Sequence, residues 1–211
     1  MIMGVVGLLL SGAVLFLNSL LLLGKADGKS VSVFNLIVGV IQVASPFYLV
    51  ITSDQSNWAL YSNGVIFLFG LTFLYFGLTV YKNLEGNGLG WFSLWVSIVA
   101  LFYAFVYLIH FHDVVNTLTW IMWGYLWFLF YLLNTGKKKI EVYIGKVALV
   151  QSWVTLTLPA MLSLAGVWSN PLVVQIWTWV CAGSIFYFGI HTLRWTLLFK
   201  KEAADPNPLL D

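Results

Sequence analysis

The chain has 211 residues, 61% hydrophobic and 9% charged, with a mean hydropathy of +0.92. A water-soluble domain of this length cannot hide so much apolar surface, because soluble domains keep a polar shell. The net charge of +2 points to no nucleic-acid partner, since the basic residues are accounted for by the topology signal described below.

A helix crosses about 30 Å of hydrocarbon with roughly 20 apolar residues. Seven segments qualify: 2–24, 30–52, 58–81, 89–110, 113–134, 142–168 and 172–198. Apolar runs such as 5–10 and 126–133 do not alternate with period two, so the spans read as helices and not as barrel strands. The expectation is an all-α integral membrane protein in one domain, 1–198. Three tandem hairpins occupy 1–168, an additional helix occupies 172–198, and a cytoplasmic tail 199–211 is disordered over its Pro-containing end.

The first span is too long for a signal peptide, and Asn18 interrupts its apolar run. No small-residue cleavage motif follows it, so it is retained. The second holds Asn35, Gln42 and Pro46, the third Thr72 and Tyr75, the fourth Ser97. In the fifth, Trp120, Trp123 and Trp127 recur at i, i+3 and i+7, one helical face, which Asn116 extends. The sixth carries Gln151, Thr155, Thr157 and Pro159, and a proline inside a helix frees a backbone carbonyl. The seventh contains the lone Cys181, which excludes an intrachain disulfide.

All ten Lys and Arg fall in alternate gaps. Lys25 and Lys29 occupy one, Lys82 another, and Lys137, Lys138, Lys139 and Lys146 surround a third. Arg194, Lys200 and Lys201 close the last span. The intervening gaps carry only Asp54 and Asp113. Short cytoplasmic loops collect Lys and Arg, so the amino terminus is read as outside and the carboxyl terminus as inside. The triple lysine is a stop signal for insertion. Gly12, Gly70 and Gly124 each lie mid-helix in the first arm of a hairpin, 12 or 13 residues before Lys25, Lys82 and Lys137. That spacing suggests three parallel repeats around a central axis.

The gaps are too short to hold a soluble active site, so function lies in the bundle. The first six spans hold no interior acid and no Arg, which argues against ion coupling and an ion pore. No carboxylate pair, Ser–His set or paired metal ligand is present, so an enzyme, a metal and a cofactor are not expected. No mid-membrane Lys in the last span could hold retinal. Three indoles through the membrane centre exceed what interfacial anchoring needs. Flat aromatic walls with amides at their edges suit a small, neutral, planar solute and give an ion nothing to replace its hydration. Alternatives are a small seven-helix secondary transporter and a structural membrane subunit. The transporter would show a Pro–Gln signature in each repeat, which neither Pro46 nor Pro159 provides.

The segments 12–30 (GAVLFLNSLLLLGKADGKS), 69–75 (FGLTFLY), 91–94 (WFSL), 120–127 (WIMWGYLW) and 151–160 together resemble the AmiS/UreI family of bacterial urea and short-chain amide channels. The resemblance covers roughly residues 3–168. It implies passive flow of urea or an amide through a pore inside each protomer and a ring of six protomers in the bacterial cytoplasmic membrane. It also implies a functional link to a cytoplasmic urease or amidase. Carried onto this chain, the pore lining comprises Leu8, Leu15, Asn18, Leu71, Tyr75, Trp120, Trp123, Leu126 and Trp127, and Gln151 stands where the best-known urea channel has Glu. The short outer loops offer only His110, His112, Asp113 and Asp54 as pH-sensing candidates.

Overall fold

A computed structural model describes residues 2–136 and 140–204, and every regular element among them is helical. In chain order these are α1 (Ile2–Leu22), α2 (Gly28–Ile51), α3 (Asn57–Gly64), α4 (Ile66–Lys82), α5 (Asn87–Ile109), α6 (Val114–Thr135), α7 (Glu141–Gln151), α8 (Leu158–Leu164) and α9 (Pro171–Ala204). A π-helical stretch, Ser152–Thr157, joins α7 to α8. Two of the seven expected spans are therefore composite: α3 and α4 meet at Val65, and α7, the π stretch and α8 run on as one. Lys137, Lys138, Lys139 and the tail 205–211 lie outside the described residues. Helix α9 continues to Ala204, six residues past the expected boundary.

Six spans are long and apolar enough to cross a bilayer. The remaining helix is α6, where Trp, Tyr, Asn and Thr lower the hydropathy. It is also well enclosed, with ten of its 22 residues buried. A helix ringed by other helices does not need a lipid-facing apolar surface. The outer faces do, and Ile51, Trp179 and Phe186 are at least 70% exposed on the isolated protomer.

Short polar side chains start three of the helices. The Asp27 carboxylate accepts from the Ser30 backbone N–H at 2.8 Å, Ser56 from that of Ala59 and Asp113 from that of Asn116. Each satisfies a donor that the first helical turn leaves open.

Three close helix crossings organise the bundle: α1 against the π stretch and α8, α4 against α2, and α6 against α5. The three aligned glycines lie at these crossings. A Cβ on Gly12 would come within 3.0 Å of the Thr157 backbone nitrogen, and one on Gly70 within 2.7 Å of the Gln42 carbonyl carbon. Gly124 is looser, its Cβ position 3.4 Å from the Ser97 carbonyl oxygen. The first arm of each hairpin thus packs on the second arm of the preceding one, in cyclic order. Hydrocarbon supplies no hydrophobic force between helices, so close backbone approach through small residues does that work.

The same contacts sort the gaps by end. Gly28 abuts Val80, Gly145 abuts Leu22 and Leu23, and Gly86 abuts Asn134. The gaps carrying Lys25, Lys29, Lys82 and Lys146 therefore share one end. At the other, His110 stacks on Trp58 with ring centroids 3.9 Å apart, which joins the gaps of Asp54 and Asp113.

We expect Gly70→Ala to lower the thermal stability of the detergent-solubilised protein by about 1–3 kcal/mol, the range for overpacking a filled site. Gly183→Ala, whose Cβ meets nothing within 4 Å, should leave stability unchanged or raise it. Parallel melting curves check both.

Candidate functional site

Four helices and the π stretch point side chains at one central cavity of about 50 Å³. Helix α4 contributes Phe69, Thr72, Phe73 and Phe76, and α6 contributes Trp123, Leu126, Trp127 and Phe130. Both sets have the spacing i, i+3, i+4, i+7, a single helical face. Leu15 and Asn18 come from α1, Leu89 and Ser93 from α5, and Leu156 from the π stretch. At roughly 10–15 Å³ per water, the cavity of about 50 Å³ accommodates about three to five waters or one small solute.

Aromatic rings form a ladder from the end carrying His110 to this cavity. Trp58 meets Tyr61 at 5.6 Å, and Tyr61 stacks on Tyr103 at 4.0 Å with planes 13° apart. Tyr103 then meets Trp120 at 4.7 Å, and Trp120 meets Trp123 edge-on at 4.8 Å. Phe69 closes the ladder, 4.9 Å from Trp123 and 5.2 Å from Trp127. Such edge-to-face and offset pairs are each worth about 0.5–1.5 kcal/mol beyond their burial, so the rings hold one another's planes.

The polar groups on the cavity wall are partly committed. The Thr72 hydroxyl donates to the Leu68 carbonyl at 2.6 Å and Ser93 to that of Leu89 at 2.7 Å, so each presents its oxygen as an acceptor. Asn18 and Asn35 exchange side-chain amide bonds at 3.1 and 2.6 Å, and Asn35 also donates to the Val31 carbonyl. One N–H of Asn18 is used in that pair, and Asn18 itself lines the cavity. The Trp123 indole N–H donates to the Thr155 hydroxyl at 2.9 Å, and that hydroxyl donates to the Gln151 carbonyl at 2.7 Å. Trp123 is thereby held in one plane, face available and edge occupied.

A sequence model of the AmiS/UreI family of transporters matches residues 3–167. The chain belongs to the AmiS/UreI family. A Rhodococcus erythropolis protein named AmiS2, provisionally described as a transporter protein, is 40% identical over 98% of both chains. The acid-activated urea channel of Helicobacter pylori is 25% identical, over 74% of this chain and 94% of its own. The crystal structure of the Helicobacter pylori urea channel superposes with a TM-score of 0.68 at 27% identity, covering 80% of this chain and 99% of that one. With six apolar spans and this family, the chain is a multi-pass protein of the bacterial plasma membrane. Its matched relatives are channels and transporters rather than enzymes.

Of the sequence-selected residues, Leu15, Asn18, Trp123, Leu126 and Trp127 meet at the cavity. Trp120 is buried one step along the ladder, and Leu8 packs half-buried on the core. Leu71 and Tyr75 lie outside the cavity, 45% and 37% exposed at the protomer surface. Gln151 is fully buried behind the Trp helix. Its Nε2 donates to the Met122 carbonyl at 2.8 Å, and its Oε1 has no hydrogen-bond partner. His110 stacks on Trp58, and His112 occupies a turn with φ of 51°. The Ser56 backbone N–H holds the Asp54 carboxyl below the usual carboxylate range. The sign follows: a depressed carboxylate loses its contribution only as pH falls through that lowered value, so a step from pH 7.5 to 5 leaves Asp54 charged.

Sequence reading missed Phe69, Phe73, Phe76, Phe130, Leu89, Ser93 and Leu156, and named Thr72 only as a polar residue of the third span. The Phe69–Thr72–Phe73–Phe76 spacing was the available signal, hidden because phenylalanines in a span read as ordinary lipid contacts.

Replacing Asn18 alone by Leu strands the Asn35 amide, at a cost of about 1–3 kcal/mol. Replacing both by Leu should cost less than the two single changes summed. A double-mutant cycle on thermal unfolding measures the difference.

Proposed function

We propose that the chain is a passive channel for urea or short-chain amides, with the aromatic cavity as the narrow part of a pore within each protomer. The observation that carries this reading is the chemistry of the cavity wall. Phe69, Trp123 and Trp127 offer flat faces, Thr72 and Ser93 offer acceptor oxygens, and Asn18 offers an N–H. An amide presents a planar body, N–H donors and a carbonyl acceptor, and matches this set. An ion finds no charge on the wall to replace its hydration. The family and the Helicobacter pylori urea channel support the same solute class. The protein does no chemistry on its solute; it lets it pass down its gradient. Trp120, Leu8 and Leu15 continue the path toward the end bearing Asp54 and His110. Gln151 supports the Trp helix from behind, while Leu71 and Tyr75 face a neighbouring protomer in a ring of six. A cytoplasmic urease or amidase consumes what enters.

The membrane orientation belongs to this reading, with the lysine-bearing end inside. In intact cells and a Cys181→Ser background, Asn57→Cys should react with a membrane-impermeant maleimide and Glu85→Cys should not. The reverse pattern would invert the topology.

The channel is tested by stopped-flow light scattering of proteoliposomes exposed to urea or acetamide at pH 5 and pH 7.5. Wild type should equilibrate solute faster than empty liposomes, with only weak saturation and no dependence on membrane potential. Trp123→Ala and Trp127→Ala should change the rate and the urea-to-acetamide ratio. An acid dependence abolished by His110→Gln or His112→Gln would assign pH sensing to those residues. Wild-type flux equal to that of empty liposomes at both pH values would sink the channel reading.

A further inference from the structure

Pro159 follows the π stretch, and the two together leave one carbonyl in a defined place. In the π register an N–H reaches back five residues, and the Leu158 N–H duly donates to the Trp153 carbonyl. The next bond in that register would run from residue 159 to the Val154 carbonyl. Residue 159 is proline and has no N–H to give. The Val154 carbonyl instead accepts the indole N–H of Trp177, from α9, at 2.9 Å. In an ordinary α register the carbonyl opposite Pro159 would be that of Thr155, and Trp177 would serve a different atom.

The π stretch matters to the cavity through its own side chains. Thr155 holds the Trp123 indole, and Leu156 stands in the wall. The Thr157 hydroxyl donates to the Ser152 carbonyl, five residues back, and Thr157 packs on Gly12 of α1. Converting the stretch to α register would turn these side chains by about 100°, one residue's step, relative to α6. π stretches inside α-helices often mark functional sites, and a carbonyl without a donor at membrane depth is costly.

We propose that Trp177 is a positioning residue: by capping the Val154 carbonyl that Pro159 leaves open, it locks the π register of 152–157 and so sets Thr155, Leu156 and Trp123 around the cavity. This gives α9, which lies outside the residues matched by the family model, a role in the site itself. Helix α9 packs on α6 and the π stretch, and Thr192 also reaches Tyr143 of α7. The consequence for solute passage rests on the channel reading above; the consequence for the backbone does not.

The test is a double-mutant cycle on the full-length protein in detergent. Trp177→Phe removes the donor, whereas Pro159→Ala restores a backbone N–H that can serve the carbonyl. We expect Trp177→Phe to lower Tm by about 2–4 °C in the wild-type background and by much less in Pro159→Ala. Equal shifts in both backgrounds overturn the proposal. If Trp177→Phe alone yields no folded protein, recovery of folding in Pro159→Ala/Trp177→Phe supports the proposal and failure to recover overturns it. In proteoliposomes, Trp177→Phe should alter the urea-to-acetamide flux ratio, and Trp177→Gln, which keeps a donor, should restore it toward wild type. A non-additive Tm cycle in a protein with no wild-type flux would keep the register lock and remove only the channel.

Discussion

In hydrocarbon, a polar group carried to membrane depth is costly unless it finds a partner inside the protein, and several of the helix contacts follow from how that is done. Asn18 and Asn35 tie α1 to α2 by a reciprocal amide pair. Gln42 reaches the Gly7 carbonyl and the Ser11 hydroxyl, Ser97 the Gly124 carbonyl, and Gln151 the Met122 carbonyl. These bonds form where helices come close. Gly124 permits that approach for Ser97 and Gly7 permits it for Gln42, whereas the Asn18–Asn35 and Gln151–Met122 bonds join helix pairs that the Gly12 and Gly70 crossings do not. Glycine crossings and buried amide bonds, largely on different helix pairs, together make one device.

The cavity is what this device leaves at the centre. Phenylalanines from α4 face indoles from α6, and each ring is held by its neighbours rather than by lipid. Its polar groups are sparse and already half used, and none of the side chains that line it carries a charge. The irregular π stretch beside the cavity keeps its backbone satisfied by borrowing donors from side chains, Thr157 within the helix and Trp177 from α9.

Helix α9 is attached at two heights. Near its start Trp177 reaches the π stretch, and further along Thr192 shares a hydroxyl cluster with Tyr125 of α6 and Tyr143 of α7, at 2.6 and 2.8 Å. Between these points its surface is largely exposed apolar side chain, such as Trp179 and Phe186. It is fastened by these directional bonds and by a narrow apolar seam that buries Cys181 and Phe188 in the core.

Seven spans, their approximate limits and the collection of basic residues in alternate gaps were legible in the sequence alone, because bilayer thickness and loop charge act on local composition. The Trp face of α6 was legible for the same reason: i, i+3 and i+7 is a property of one helix. Which helices pair was only hinted at by the spacing of Gly12, Gly70 and Gly124, since a close crossing needs to know what stands opposite each glycine. The Phe face of α4 gained meaning only opposite the indoles. The sequence could not separate cavity-side Leu15 from surface-side Leu71, both apolar and both in spans. Nor could it place the carbonyl freed by Pro159, whose partner Trp177 lies 23 residues from Val154. Periodicity determines the face of a helix, and only tertiary packing decides what that face meets.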